Sequence, residues 1–257
     1  MSVEYVVADR VARITLNRPE RMNAVDQATE RALEEIWRDL EGRRDVSCAV
    51  LTGAGERAFC VGSDMKDTSL DGIDYWLAPR PNGFGGIAFR RSLDIPVIAR
   101  VNGFALGGGF EMVMGCDVVI AADTARFGLT EPRVGRIPLD GGMALLARKI
   151  PHNLAMGLML TARRHSAEEL ARFGLVNEVV PAAELDAAVE RWLADILACA
   201  PLSLRAIKQT VNRTGHLTPA EAQALRLPAV VEALVSADAD EGVRAFNEKR
   251  APVWTGR

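Results

Sequence analysis

The feature that most limits how this chain can fold is a glycine triplet between two apolar runs. An acidic residue follows the triplet closely. Residues 97–123 read VIARVNGFALGGGFEMVMGCDVVIAAD. The apolar run Val97–Val101 predicts a short buried strand, and residues 107–109 predict the start of a helix that carries Glu111 as its one charged residue before Asp117. Because glycine has no side chain, a ligand can approach the backbone closely at this point.

The start of this helix combines two groups that acid–base chemistry on an anionic intermediate needs. The first N–H groups of a helix have no intrahelical acceptor and lie at the positive end of the helix dipole, so the Gly108 N–H can bind a developing negative charge. Glu111 follows Gly108 by three residues, which places its carboxylate on the same helix face. The stretch therefore indicates an active site, with a packed glycine turn and a purely structural glutamate as the alternative.

The composition argues against several classes of partner. The 257 residues are 49% hydrophobic, enough for one large α/β unit with a helical tail. The net charge of −3 is spread along the chain without a block of Lys and Arg, so we expect neither nucleic acid nor an anionic membrane surface as a partner. No basic and apolar export signal and no uncharged apolar run of about 18 residues occur, which predicts a cytoplasmic protein that spans no membrane.

The cysteines are too scattered to form a framework. Cys48, Cys60, Cys116 and Cys199 lie far apart and have no neighbouring histidine cluster. This spacing fits neither a set of disulfides nor a zinc site, and it is typical of a reducing compartment. We therefore expect no bound metal.

The order of strand and helix patterns predicts an α/β fold. The runs Val3–Ala8 and Val11–Leu16 predict a hairpin, Asp26 can cap a helix that ends at Gly42, and residues 47–52 show the pattern of a buried strand. The C-terminal third is mainly helical. Strands that alternate with helices first, followed by helices alone, indicate an α/β core with a helical extension.

A second candidate site lies at residues 58–67, which read AFCVGSDMKD. Val61 follows the apolar residues 58–60 and precedes a glycine. This turn can present another backbone N–H to a ligand. The charged side chains of Asp64, Lys66 and Asp67 could hold the polar part of that ligand. An ordinary polar surface loop is the alternative.

Residues 68–89 interrupt the regular patterns. Prolines and glycines alternate there with Tyr75, Trp76, Phe84 and Phe89. Long loops often serve as functional covers, and aromatic side chains among glycines predict a movable apolar wall of a pocket. A loosely packed surface excursion is the alternative.

Two further carboxylates follow the central helix. Glu131 precedes Pro132, and a residue before proline favours extended backbone, so we expect this carboxylate to project from a constrained bend. Asp140 precedes two glycines and is predicted to cap the helix that starts there.

Five segments, in this order, resemble the crotonase superfamily, that is, the enoyl-CoA hydratase/isomerase family. They are residues 14–19 (ITLNRP) with Asn23 and Ala24, residues 58–66 (AFCVGSDMK), residues 101–109 (VNGFALGGG) with Glu111, Cys116 and Asp117, Phe127 and Gly128 with Glu131 and residues 135–142, and residues 241–250 (EGVRAFNEKR). The resemblance covers essentially the whole chain. It implies an α/β fold, a crotonase-like spiral of ββα repeats with a C-terminal helical trimerisation region. The implied parts are a core with the CoA-thioester site at residues 1–195 and a helical extension at residues 196–257, in homotrimers or homohexamers.

The resemblance also implies roles for individual residues. The N–H groups of Val61 and Gly108 would form an oxyanion hole for the thioester oxygen, Glu111 would activate water at C3, and Glu131 would give a proton to C2. We therefore expect hydration of a 2-enoyl-CoA to a 3-hydroxyacyl-CoA, or the reverse dehydration, with coenzyme A as part of the substrate and no permanently bound cofactor. The residues expected along coenzyme A are Arg21, Met22, Ala24, Ser63, Asp64, Met65 and Lys66, together with Phe246 and Lys249 of the C-terminal helix, from the same or a neighbouring subunit.

Two positions depart from the simple hydratase pattern and keep other reactions open. Asp140 stands where small residues are common in the family, so it is a candidate third acid, and Pro132 directly follows Glu131. A double-bond isomerase or a thioester hydrolase on the same scaffold is the first alternative, because an oxyanion hole serves any thioester enolate. A noncatalytic or RNA-binding relative is the alternative of another class, and the presence of both glutamates and the lack of a basic stripe argue against it.

Overall fold

The chain begins with the predicted β-hairpin, in a computed structural model that describes residues 1–66 and 72–257. Strands β1 (Val3–Ala8) and β2 (Val11–Leu16) pair antiparallel. Asp9 and Arg10 form the turn with φ values of 50° and 65°. A two-residue hairpin of the favoured kind needs this left-handed conformation at both positions, so the hairpin forms here without the preferred Asn-Gly or Asp-Gly pair.

The hairpin leads into a mainly parallel sheet. The further strands of this sheet are β3 (Cys48–Gly53), β5 (Val97–Val101), β7 (Val118–Ala122) and β10 (Glu178–Val180). Over the described residues the strand order is β1-β2-β3-β5-β7-β10, and every neighbouring pair after the hairpin is parallel. Parallel strands are buried on both faces, which explains why β5 and β7 are continuous apolar runs apart from Arg100.

A second, smaller sheet repeats the order of the first. It consists of β4 (Ala58–Cys60), β6 (Phe104–Leu106), β8 (Arg126–Gly128) and β9 (His165–Ser166). In the described part of the chain its order is β4-β6-β8-β9, with β4, β6 and β8 parallel. Each of β3, β5 and β7 is thus followed by a short strand of the second sheet. The predicted α/β spiral of ββα units is confirmed.

The helices follow the predicted distribution, with most of them in the C-terminal half. They are α1 (Gln27–Gly42), α2 (Gly72–Leu77), α3 (Gly108–Gly115), α4 (Gly142–Lys149), α5 (His152–Thr161), α6 (Ala167–Arg172), α7 (Leu185–Leu197), α8 (Pro201–Thr214), α9 (Pro219–Ala224), α10 (Pro228–Leu234) and α11 (Ala237–Glu248). Asp26 caps α1 as predicted, since its side chain accepts a 2.8 Å hydrogen bond from Thr29 N. The division at residues 195 and 196 lies inside α7 and stays a prediction.

The first sheet separates two apolar layers. Alternate residues of β3 point to opposite sides, so Leu51 joins a core with Leu33 and Trp37 of α1, while Val50 packs with Leu193 of α7. Within residues 1–66 and 72–257, every helix is too short or too polar to cross a membrane.

The segment predicted to be irregular is partly helical. Residues 68–71 of this segment, and Asp67 before it, lie outside the described residues. From Gly72 the chain forms α2, and a short 3₁₀ helix follows at Phe84–Gly86. The carbonyl of Gly85 accepts a 2.8 Å hydrogen bond from the buried Trp37 indole, which ties this segment to α1.

Candidate active site

The floor of the site is made by two neighbouring strand ends. Strands β4 and β6 are parallel neighbours, so their carboxyl ends meet at one edge of the sheet. The chain continues from β4 into Val61 and Gly62, and from β6 into Gly107 and Gly108. A Cβ added to Gly62, whose φ is 93°, would lie 3.1 Å from Gly108 N. The two loops predicted as separate candidate sites are therefore in contact.

Each glycine of the triplet is required for a different reason. Gly107 precedes α3 with a φ of 55°, a conformation that favours glycine. A Cβ on Gly108 would lie 2.6 Å from the ring of Phe84, and a Cβ on Gly109 would lie 2.1 Å from the Cys60 carbonyl oxygen. Gly108 is the first residue of α3, so its N–H has no intrahelical acceptor and lies at the positive end of the helix.

Glu111 is held at the start of a second helix. Its side chain is buried, with 2% of the residue exposed, and Oε1 accepts a 2.8 Å hydrogen bond from Gly142 N, the first N–H of α4. Burial raises the pKa of Glu111 to about 8, and the charges of Asp140 and Glu131 act in the same direction, while the Gly142 hydrogen bond opposes them. Glu111 therefore exchanges a proton in the range where a general base is useful.

Glu131 starts a short 3₁₀ helix. The extended backbone predicted for it is wrong, because the chain turns at once into the 3₁₀ helix Glu131–Val134, in which proline is tolerated in the first turn. The Glu131 carboxylate lies over Gly107, since a Cβ there would be 3.2 Å from Oε1. Its Oε2 is buried and has no hydrogen-bond partner among the described residues, and burial raises the pKa of the carboxyl.

One cavity of about 880 Å³ brings these groups together. The predicted site residues that line it are Val61, Gly108, Glu111, Glu131, Asp140, Ser63, Asp64 and Met65. Both glycine loops and both glutamates thus face the same space. Ile73 and Trp76 of α2 contribute apolar wall, in agreement with the pocket wall predicted from the aromatic residues of this segment.

The prediction that Asp140 caps α4 is wrong. The residue before α4 is Gly141, no side chain caps it, and the first N–H is taken by Glu111 from another element. Asp140 instead turns its buried carboxylate, with 8% of the residue exposed, toward the hydroxyl of Tyr75, which donates a hydrogen bond to Oδ2. Burial raises the pKa of Asp140, and the Tyr75 hydrogen bond and the charge of Arg80 oppose this rise.

The sequence reasoning missed two lining residues, Arg80 and Glu30, and it predicted a third, Tyr75, only as part of an apolar wall and not as a polar partner. Tyr75 bonds to Asp140, the Arg80 guanidinium stacks 4.0 Å from the Tyr75 ring centre, and Arg80 is also ion-paired with Glu30 of α1. All three line the cavity. The aromatic pattern indicated a wall but not this buried polar network, whose members are far apart in the sequence.

The residues expected along coenzyme A fall into two groups. Residues 21–25 run beside the loop after β4, because Val25 N donates to Gly62 O at 2.9 Å and Asp64 N donates to Val25 O at 2.8 Å. Asp64 is not available as a free charge, since it is ion-paired with Arg18 at 2.9 Å. The backbone N–H of Lys66 and the Arg18 pair lower the pKa of Asp64.

The second group is remote from the cavity within one chain. Phe246 is 83% exposed near the end of α11, and Lys249 ends that helix with a φ of 53°. Among the described residues, the lining runs no further along the chain than Met143, and it does not contain Arg21, Met22, Ala24 or Lys66. A search of the same residues finds no group of three or more His, Cys, Asp or Glu that could hold a metal ion.

Replacing Glu111 with glutamine should stabilise the fold most at high pH. A buried carboxyl whose pKa is raised from 4.5 to about 8 favours the folded state when protonated, and this advantage is lost as the pH rises between those values. Glutamine keeps an acceptor for Gly142 N and does not titrate. The gain in unfolding free energy of Glu111→Gln over the wild type should grow by roughly 2–4 kcal/mol between pH 5 and pH 9.

Urea unfolding at the two pH values measures this difference. The exposed Glu35 of α1 provides the matched control, since Glu35→Gln should change stability by the same small amount at both pH values. An equal gain for Glu111→Gln at pH 5 and pH 9 would contradict the raised pKa.

Comparison with known proteins places the chain among CoA-thioester enzymes. The family model described as enoyl-CoA hydratase/isomerase matches residues 7–257. The (E)-benzylidenesuccinyl-CoA hydratase of Thauera aromatica is 39% identical, with 100% of both chains covered, and the carnitinyl-CoA dehydratase of Escherichia coli (strain K12) is 37% identical, with 96% of this chain and 95% of the relative covered. The crystal structure of an enoyl-CoA hydratase from Bacillus anthracis superposes with a TM-score of 0.91 at 32% identity and full coverage of both chains.

Proposed function

We propose that this chain, which belongs to the enoyl-CoA hydratase/isomerase family, hydrates a 2-enoyl-CoA to a 3-hydroxyacyl-CoA or catalyses the reverse dehydration. It is a hydro-lyase-type enzyme, in keeping with the hydratase and dehydratase names of its relatives. The observation that carries the proposal is that two carboxylates, the buried Glu111 and the half-buried Glu131, line the cavity that both glycine loops also line.

In this mechanism the backbone N–H groups of Val61 and Gly108 bind the thioester oxygen. As the C2–C3 double bond is attacked, negative charge moves onto that oxygen, and two fixed donors stabilise it. The contact between the loops after β4 and β6 supports this role, because it keeps Gly62, the neighbour of Val61, close to Gly108 N without any substrate. Such preorganised donors are usually the largest electrostatic contribution in an acyl site.

The two glutamates handle the protons of the added water. Glu111, when ionised, takes a proton from the water whose oxygen bonds to C3, and Glu131, when protonated, delivers a proton to C2. The raised pKa of Glu111, about 8, supports an exchange of protons near neutral pH, and burial raises the pKa of Glu131, which favours its protonated form. Glu131 Oε2 has no hydrogen-bond partner in the described part of the chain, so no competing bond at this atom opposes the proton transfer. In dehydration the same steps run backwards.

Coenzyme A lies along residues 21–25 and the loop after β4 in the proposed complex. Arg21, Met22 and Ala24 border one side, and Ser63, Asp64, Met65 and Lys66 the other, with the cationic side chains toward phosphate groups. Phe246 and Lys249 would reach the nucleotide part of coenzyme A from a neighbouring subunit, because within one chain they do not line the cavity. A homotrimer or homohexamer built on the helical extension is therefore part of the proposal, and exposed apolar residues of its helices, such as Val235, Val243 and Phe246, support such contacts.

The proposed setting is the cytoplasm, with an acyl-CoA as partner and neither nucleic acid nor a membrane. The free thiols of Cys48, Cys60, Cys116 and Cys199 support a reducing compartment. The reaction needs no permanently bound cofactor, because the thioester itself stabilises the intermediate.

One observation favours a second candidate function. Asp140 is a third buried carboxylate on the same cavity, and a third acid beside Glu111 could shift a proton along the acyl chain in an isomerase. Hydrolysis of the thioester on the same oxyanion hole is the related alternative.

The first experiment is loss of the enoyl-thioester absorbance, with product mass, over a panel of substrates. The panel contains crotonyl-CoA, a longer and a cyclic 2-enoyl-CoA, and the (E)-benzylidenesuccinyl-CoA suggested by a relative's name. We expect at least one substrate to gain the mass of one water. A product of unchanged mass would establish the isomerase, and released free thiol would establish the hydrolase. Binding of RNA in a gel shift at physiological salt, without turnover, would favour the noncatalytic alternative.

A further inference from the structure

The first residues of α4, and the glycine before it, form the support on which the Glu111 carboxylate rests. Gly142 N donates to Glu111 Oε1 at 2.8 Å, and a Cβ on Gly141 would lie 3.6 Å from the Glu111 Cβ. Gly142 is itself tightly packed, because a Cβ there would lie 2.5 Å from the Cβ of Pro138. Asp140 is next in the chain to these two glycines and lines the same cavity as Glu111, close enough for its charge to act on the Glu111 carboxyl.

The Asp140 carboxylate is fixed in turn by Tyr75 of α2. The Tyr75 hydroxyl donates a hydrogen bond to Asp140 Oδ2, and the Arg80 guanidinium stacks on the Tyr75 ring while pairing with Glu30 of α1. The Asp140 carbonyl also accepts a long, 3.4 Å bond from Phe84 N. The buried network therefore runs from α1 through α2 to the support of Glu111.

We propose that Tyr75 and Asp140 act together as a positioning pair that holds a second negative charge beside Glu111 and so makes Glu111 a stronger base. The proposal rests on the proposed function, in which Glu111 activates water. Tyr75 acts only through Asp140, since its hydroxyl is spent on the carboxylate. Without the charge of this pair, burial and the charge of Glu131 would be the remaining causes that raise the pKa of Glu111.

The charged groups around Tyr75 and Asp140 determine whether the pair raises or lowers the pKa of Glu111. Glu111 is faced by Asp140 and by Glu131 of the 3₁₀ helix, both of which raise its pKa, while the Cys60 thiol of β4 stays neutral because burial raises its pKa to about 12. Tyr75 and Arg80 face Asp140 and both lower the pKa of that carboxyl.

Removing the Tyr75 hydroxyl should lower the pKa of Glu111. Without the Tyr75 hydrogen bond the pKa of Asp140 rises, so Asp140 is neutral over a wider pH range. A neutral Asp140 no longer repels the ionised form of Glu111, and the pKa of Glu111 must fall from its value of about 8. The Gly142 hydrogen bond is held by packing and should survive.

The test measures the protonation of Glu111 in Tyr75→Phe, Asp140→Asn and the double variant. Two readouts are used: the pH dependence of kcat/KM for the substrate found above, and the ¹³C carboxyl titration of Glu111 without substrate, assigned by its loss in Glu111→Gln. In both readouts, the titration step assigned to Glu111 should move to lower pH, by about half a unit in Tyr75→Phe and by about one unit in Asp140→Asn. The double variant should match Asp140→Asn, because Tyr75 acts through Asp140.

Tyr5 provides the matched control. Its hydroxyl also donates to a carboxylate, Asp39 Oδ2 at 2.7 Å, but on the hairpin face of α1. Tyr5→Phe removes the same kind of bond and should leave both readouts unchanged. Thermal unfolding of each variant identifies any that fails to fold, and Asp140→Asn then carries the test in place of Tyr75→Phe.

Three outcomes would overturn the pairing. An unchanged Glu111 titration in both single variants would show that Asp140 exerts no field on Glu111, and a shift to higher pH would show a loosened support. A further shift in the double variant would show that Tyr75 acts by another route. The ¹³C titration needs no turnover, so an enzyme that hydrates nothing would remove the proposed function while the titration still decides the pairing.

Discussion

Glu131→Gln is expected to lower kcat for hydration by roughly 10²–10⁴-fold, the usual loss when a general acid is removed. Glutamine has nearly the same shape and still fits over Gly107, but its amide cannot deliver a proton to C2. KM should change little, because in the proposed mechanism the thioester oxygen is bound by the backbone of Val61 and Gly108. Steady-state kinetics with the best substrate of the panel measure both constants.

Glu111→Gln should cause a loss of the same order, since it removes the base that activates water. Glu35→Gln on the exposed side of α1 serves as control for both variants and should retain full activity. If either active-site variant keeps more than about a tenth of wild-type kcat, that glutamate is not the proton-transfer group that we propose.

Removing the Gly108 N–H should lower kcat by about 10²–10³-fold, the loss typical for one oxyanion donor. Proline at this position deletes the N–H and is compatible with the first residue of a helix, where Gly108 lies. Any Cβ at Gly108 meets the ring of Phe84 at 2.6 Å, so the exchange is made in a Phe84→Ala background.

The matched control in that background is Gly108→Ala, which adds a Cβ but keeps the N–H. The loss is expected only between the alanine and the proline variants, and it should appear in kcat more than in KM. Because Phe84 is buried, its removal costs about 3–5 kcal/mol of stability, so the assay is run well below the melting temperature of the variants. Equal activity of the alanine and proline variants would remove Gly108 from the oxyanion hole.

Local patterns predicted the elements whose stabilising contacts are local. Residue spacing predicted the hairpin and the strand and helix around the glycine triplet. Helix α1 was predicted because Asp26 lies three residues before the N–H group that it caps. Gly108 and Glu111 could be paired for the same reason. Glu131 could be assigned a role only through the resemblance to a family, because the proline after it gave the wrong local backbone.

Contacts between distant residues explain what the sequence did not predict. Asp140 was expected to cap α4, but the first N–H of α4 bonds to Glu111 of α3. Helix α2 has six residues, too few for stability on propensity alone, and it is held by Tyr75 and Arg80 to partners on other elements. No local pattern carries this information.

The contact between the loops after β4 and β6 separates two parts of the site that can change independently. The proposed donors for the thioester oxygen belong to the main chain at the end of a sheet, and Gly109 leaves no room for any side chain against the Cys60 carbonyl. The apolar wall of the cavity, in contrast, includes the side chains of Ile73 and Trp76 on α2, which can be exchanged one by one. Acyl preference can therefore drift through substitutions at Ile73 and Trp76 while the chemistry at the thioester is inherited unchanged, which makes these two positions the natural starting points for redirecting the enzyme to new acyl groups.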